Sequence, residues 1–152
     1  MIKGIYLNGT EDLTEVYSIR NEVFTKEMNI PADIENDGED MMAMHAILDY
    51  KGQKVATARM RFDGDTFELD KVAVLKEHRK NGYADFVVRM LLDKVFTSNG
   101  KVIIANATVD SVPFFESIGF IPNGEQFEKD GVKLQPMKVE YGKVKTQCGG
   151  HH

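Results

Sequence analysis

The clearest chemistry in the chain lies where Val72-Ala73-Val74 runs into Arg79-Lys80-Asn81-Gly82-Tyr83-Ala84, an R-x-x-G-x-A order. Gly82 can take a positive φ and lets a ligand come close to the backbone. The amides of Asn81 to Asp85 then point out of the start of a helix, whose partial positive charge favours an anion such as a pyrophosphate. Arg79 and Lys80 add full charges beside them. A plain strand-to-helix turn with two solvated basic residues fits the same letters. The segment is no P-loop, because the lysine and hydroxyl expected after a second glycine are missing, and one glycine is too few for a dinucleotide fingerprint.

Other residues are candidates for moving protons. Glu68 and Asp70 stand two apart on a strand-like stretch, so they share a face. A carboxylate can take up a proton, and the pair equally suits two surface carboxylates on a solvated face. His45 is the only histidine inside a strand pattern and titrates near neutrality; it fits a base, a relay or a structural histidine. Arg59 and Arg61 alternate along their strand and either reach the same gap or point to solvent. Asp33, Glu35, Asp37, Glu39 and Asp40 crowd a segment that reads as an exposed loop. It is either a solvated connector or an acidic lip drawing in a cation.

These residues need elements to hold them. The chain has 152 residues, 42% hydrophobic and 28% charged, enough to build one core and stay in water. Ile2 to Leu7 reads as a strand, and a helix capped by Thr10 or Asp12 runs to about Met28, where Pro31 opposes continuation. Leu13, Val16, Tyr17, Val23 and Phe24 form its stripe. Met42–Tyr50, Lys54–Phe62 and Thr66–Leu75 read as an antiparallel meander. A helix from about Ala84 to Phe96 then leads to the apolar strand Lys101–Thr108, giving a right-handed βαβ unit. Ser111–Ser117 is a short helix, and Phe120-Ile121, Gln126–Glu128 and Lys133–Tyr141 are the last strands. The reading is one domain over 1–142 and a flexible tail over 143–152.

Composition narrows the partners. A net charge of −5 repels nucleic acid. With no secretory signal and no long apolar run, a cytoplasmic protein off the membrane is expected. The lone Cys148 has no internal partner, and Cys148, His151 and His152 fall short of the roughly four ligands of a structural metal site, so no metal is expected.

The Val72-Ala73-Val74 strand with Arg79-x-x-Gly82-x-Ala84 resembles motif A of the GNAT superfamily of N-acetyltransferases. Pro113-Phe114-Phe115-Glu116-Ser117-Ile118-Gly119-Phe120 resembles the family's second signature, F-Y-x-x-x-G-F. Arg20-Asn21-Glu22-Val23-Phe24, the acidic segment and Ala43-x-His45 look like the N-terminal half of one bacterial branch. The resemblance extends to about Tyr141. It implies an α+β or α/β fold: a mixed, mainly antiparallel twisted sheet with one parallel βαβ splay and helices on both faces. It implies acetyl-CoA as co-substrate, its pantetheine arm on Val72, Ala73 and Val74 and its pyrophosphate on Arg79 to Ala84. Thr108, Ser111 and Phe115 would lie on the facing side, and a carboxylate on the strand before Val72, Glu68 first and Asp70 second, would be the general base. It also implies an acyltransferase in which a small-molecule or peptide amine attacks the thioester directly, and a homodimer, since such domains commonly pair. The acidic lip would favour a cationic acceptor. Phe115 departs from the family pattern, replacing the tyrosine that protonates the leaving thiolate. That departure keeps open a non-catalytic acyl-CoA-binding or regulatory domain, and the loop alone keeps open a nucleotide-phosphate binder.

Overall fold

A computed structural model describes residues 1–146 of the chain; the string from Cys148 to His152 lies outside the described residues. Strands β1 (Ile2–Asn8), β2 (Met44–Tyr50), β3 (Gln53–Asp63), β4 (Thr66–Val74) and β5 (Val102–Thr108) follow one another across one sheet. Beyond β5 come β8 (Val132–Glu140) and the short β6 (Ile121–Pro122), while β7 (Phe127–Lys129) pairs with β8. Every pairing is antiparallel except β4 with β5. That parallel pair is joined by helix α3 (Tyr83–Thr97), the crossover the periodicity predicts.

Alternation along the strands sends side chains to two cores. On one face Val87, Val88, Leu91, Leu92 and Val95 of α3 pack on Leu48, Ala56, Met60, Leu69 and Ile103. Phe115 and Ile118 of helix α4 (Val112–Ile118) complete that cluster. On the other face Leu13, Val16, Ile19 and Val23 pack on Ile47 and Ala73. Each of the valine, leucine, isoleucine, methionine and phenylalanine side chains contributes about 1.5–3 kcal/mol when fully buried. The expected mixed sheet with helices on both faces is therefore present. Among the described residues, no helix is long and apolar enough to cross a membrane.

The first helix departs from the expectation of one regular rod. Helix α1 (Thr14–Arg20) starts where the Asp12 carboxylate accepts from the Thr14 amide at 3.0 Å. It then widens into a π-helical segment over Asn21–Glu27. Tyr17, expected on the buried stripe, is exposed, and Ile19 is buried instead. The acidic segment is not simply an exposed loop: it holds helix α2 (Ala32–Glu35) and a turn over Asp40–Met42, and both Glu35 and Asp40 are buried. The start of the expected tail is tied down as well. Lys145 donates its amide to the Ile118 carbonyl at 2.7 Å, and Arg89 donates to the Lys145 carbonyl at 2.6 Å. Gly119 allows this approach, since a side chain there would run into the Lys143 carbonyl.

Candidate active site

Strands β4 and β5 pair only over Phe67–Leu69 and Ile103–Ala105. Past that point β4 continues to Val74 and β5 to Thr108 without partnering each other, and a cleft of about 580 Å³ opens between them. Leu69, Asp70, Val72, Ala73 and Val74 line it from one side, and Asn106, Thr108 and Ser111 from the other. A bulge shapes the β4 wall. Thr57 faces Ala73 and Arg59 faces Asp70, so Ala58 stands opposite both Lys71 and Val72. Lys71 takes the left-handed conformation at φ 52°. Such a bulge bends its strand and raises its twist.

At the mouth the loop meets α3. Gly82 stands at the helix N-cap with φ 78°, the conformation its missing Cβ makes cheap. The Phe86 amide donates to the Gly82 carbonyl at 3.0 Å and closes the first helical turn. The amides of Tyr83 and Ala84 precede it, the position at which a helix leaves N–H groups without intrahelical acceptors. Both residues line the cleft with Arg79, Lys80 and Gly82, whereas Asn81 is exposed and donates its side-chain amide to the His78 carbonyl at 3.1 Å. The Asp85 carboxylate, which would oppose an anion, accepts from Arg89 Nε at 3.0 and 2.9 Å. Arg79 does not point freely into the cleft: it donates to both Glu27 carboxylate oxygens at 2.6 Å and to the Val74 carbonyl at 3.0 Å. These hydrogen bonds push the Arg79 pKa up and hold the Glu27 carboxyl below its usual value.

On the opposite wall Thr108 donates its hydroxyl to Ser111 Oγ, and Ser111 donates back to the Thr108 carbonyl, both at 3.0 Å. Phe115 is buried edge-on between Phe114 and Phe120. The ring packs there and, with Phe114, also lines the cleft.

The candidate bases do not converge. Asp70 lines the cleft at the splay and accepts from Arg59 Nε and Nη2 and from Arg61 Nε at 2.8–2.9 Å. Glu68 sits one pleat earlier, beside Ile104 within the paired stretch, and is bound by Arg61 at 2.6 Å. His45 lies on β2, two strands from the cleft, and is fully buried. Its Nε2 donates to the Asp40 carbonyl at 3.1 Å, and burial pushes its pKa below the ordinary value.

Behind these groups lies an ion network that the sequence reading missed. Arg20, 1% exposed, is held by Glu35 at 2.8 Å and Asp40 at 2.7 Å. Arg59, also 1% exposed, is held by Asp37, Asp40 and Asp70 at 2.8–3.0 Å. Lys71 bonds the Glu35 carboxylate and its carbonyl, each at 2.9 Å. The Arg59 hydrogen bonds hold the Asp37 carboxyl well below the usual range. Burial alone would raise Asp40, and the Arg20 and Arg59 guanidinium groups more than reverse that. One signal was present: Arg59 and Arg61 alternate in step with Asp70 and Glu68 across the Asp63-Gly64-Asp65 turn, and counting that register pairs them.

This fold has known counterparts. The acetyltransferase (GNAT) domain profile matches residues 10–141, so the chain belongs to the GNAT acetyltransferase family. YjcF, an uncharacterized N-acetyltransferase of Bacillus subtilis, is 30% identical over 140 residues, covering 90% of this chain and 99% of that protein. Escherichia coli ElaA superposes with a TM-score of 0.82 at 25% identity, over 92% of this chain and all of its own. A GNAT acetyltransferase from Elizabethkingia anophelis, solved with acetyl-CoA bound, has a TM-score of 0.71 at 11% identity, over 91% and 97% of the two chains. That last likeness concerns the fold alone.

Proposed function

We propose that the chain is an N-acetyltransferase that moves an acetyl group from acetyl-CoA to a primary amine by direct attack. The observation that carries this is the continuity of one cleft from the amides at the start of α3 to the unpaired edge of β4. Its size and its chemistry suit a long ligand with an anionic end and an amide-bearing arm. Gly82, Tyr83 and Ala84 would take the diphosphate with their N–H groups, helped by Lys80 and Arg79. Val72 to Val74 would offer backbone partners to the pantetheine, with Thr108 and Ser111 facing them. Acetyl-CoA supplies an activated thioester carbonyl when bound.

The amine nitrogen bonds to the acetyl carbon as the carbon–sulfur bond breaks, and one proton must leave the nitrogen. Asp70, which lines the cleft at the splay, would receive it. A carboxylate has about four lone-pair sites, and Arg59 and Arg61 occupy three of those on Asp70. The sulfur leaves as a thiolate, whose pKa resembles that of a free thiol near 8.5. It therefore departs without the hydroxyl that Phe115 lacks.

Thiol release from acetyl-CoA, followed over a panel of primary amines, tests this reading. Asp70→Asn is expected to lower kcat by about 10²–10⁴, while CoA still raises the melting temperature more than ATP does. Full activity in Asp70→Asn would remove Asp70 from the chemistry. The buried Phe115 favours a second reading, a non-catalytic acyl-CoA binder. Stabilisation by CoA without thiol release from any amine would select it.

A further inference from the structure

Resting on that reading, we infer that the acceptor is a primary amine carried on an apolar, aromatic or aliphatic body, and is not a polycation. The cleft is reached from both faces of the sheet. The diphosphate loop belongs to the α3 face, whereas α1 and its π-helical continuation cover the opposite face on Ile47 and Ala73. From that second side Val23, Phe24, Met28 and Ile30 line the cleft. The widened helical turn over Asn21–Glu27, a rare conformation that tends to mark functional sites, supplies Val23 and Phe24 to this wall. Met28 caps the turn and is 52% exposed, so an apolar surface faces solvent on this side of the cleft.

The charges there point the same way. Asp70 and Asp85 are the acidic side chains on the cleft wall, and both are held by arginine. The other carboxylates behind this side, Glu35, Asp37 and Asp40, are committed to Arg20, Arg59 and Lys71. Lys71 stands over the Phe24 ring at 5.8 Å from its centroid. One ammonium can reach the remaining lone pair of Asp70. The further ammonium groups of a polyamine would lose water against Phe24, Met28 and Ile30, where, among the described residues, no lining carboxylate beyond Asp70 and Asp85 stands to replace it. An apolar body instead covers those side chains and displaces their water.

The test compares 2-phenylethylamine with spermidine as acceptors for the full chain. A kcat/KM preference of about tenfold or more for phenylethylamine is expected, the scale of discrimination in an apolar pocket. Met28→Glu should lower that preference by about the same factor, by weakening phenylethylamine and improving spermidine, and Met28→Leu should restore it. Equal use of the two amines, a preference for spermidine, or a Met28→Glu loss that falls alike on both would overturn the inference. If neither amine releases thiol although CoA raises the melting temperature, the catalytic reading fails. Equilibrium binding to the CoA complex then decides the inference separately. Phenylethylamine must bind more tightly than spermidine and lose that advantage in Met28→Glu; any other result overturns it.

Discussion

At the start of α3 the groups that face a ligand are backbone amides, fixed by one residue at φ 78° and by the helix that follows. Behind the cleft the network around Arg59 is made of side chains that meet from α1, the acidic segment, β3 and β4. The first region leaves polar groups open and has a local cause. The second uses its charges on one another, and its cause is spread from Arg20 to Asp70. The contrast separates a place built to bind an anion from a place built to hold shape. It also means that damage should stay local at the loop and spread widely in the network.

The largest expected effect probes that difference directly. Arg59→Met strands Asp37, Asp40 and Asp70 without their shared guanidinium. Removing one member of a buried ion group costs about 3–5 kcal/mol. Gly82→Ala, by contrast, forces one alanine into the left-handed region, a strain of roughly 1–2 kcal/mol. Urea unfolding of both variants checks the ranking. An Arg59→Met cost no greater than that of Gly82→Ala would erase the distinction between the two regions.

The same contrast explains what could be read from the letters. The loop from Arg79 to Ala84, α3 and the parallel return to β5 are visible because Gly82 and the stripe from Val87 to Val95 act within a few residues of themselves. The acidic segment misleads for the opposite reason. Five carboxylates in eight positions look solvated until Arg20, Arg59 and Lys71, distant in the chain, arrive to neutralise Glu35, Asp37 and Asp40. His45 misleads similarly: a strand histidine gives no sign that β1 and β3 will enclose it. The π-helical turn has no pattern in the letters that distinguishes it from an ordinary helix.

An intermediate effect comes from pH, and its sign follows from burial. The folded pKa of His45 lies below its ordinary value, so below about pH 6.5 the unfolded chain binds a proton that the folded chain refuses. Stability is therefore level above that pH and falls as acid is added. Asp37 and Asp40 have depressed folded pKa values, so they add a second loss below about pH 4, where the unfolded carboxylates take protons first. His45→Gln should remove the first fall and leave the second. Urea midpoints from pH 7.5 to 3.5 check this. A wild type whose stability is flat between pH 7 and 5 would place His45 outside the network that encloses it.

The smallest effect concerns Arg79 on Glu27, which ties the loop before α3 to the π-helical segment. Both side chains are over a third exposed, so the pair adds little to stability despite its two-pronged geometry. Its weight falls on ligand binding instead. Glu27 holds the two guanidinium prongs that a diphosphate would use, and the anion must compete with it. Glu27→Gln removes that competitor's charge and leaves the α3 amides untouched. CoA affinity should rise about two- to fivefold, the scale of an exposed ion pair, with little change in the urea midpoint. A fall in affinity would reverse the relation, because Glu27 would then be the group that aims Arg79 at its ligand, and the open and closed sides of the cleft would share one design.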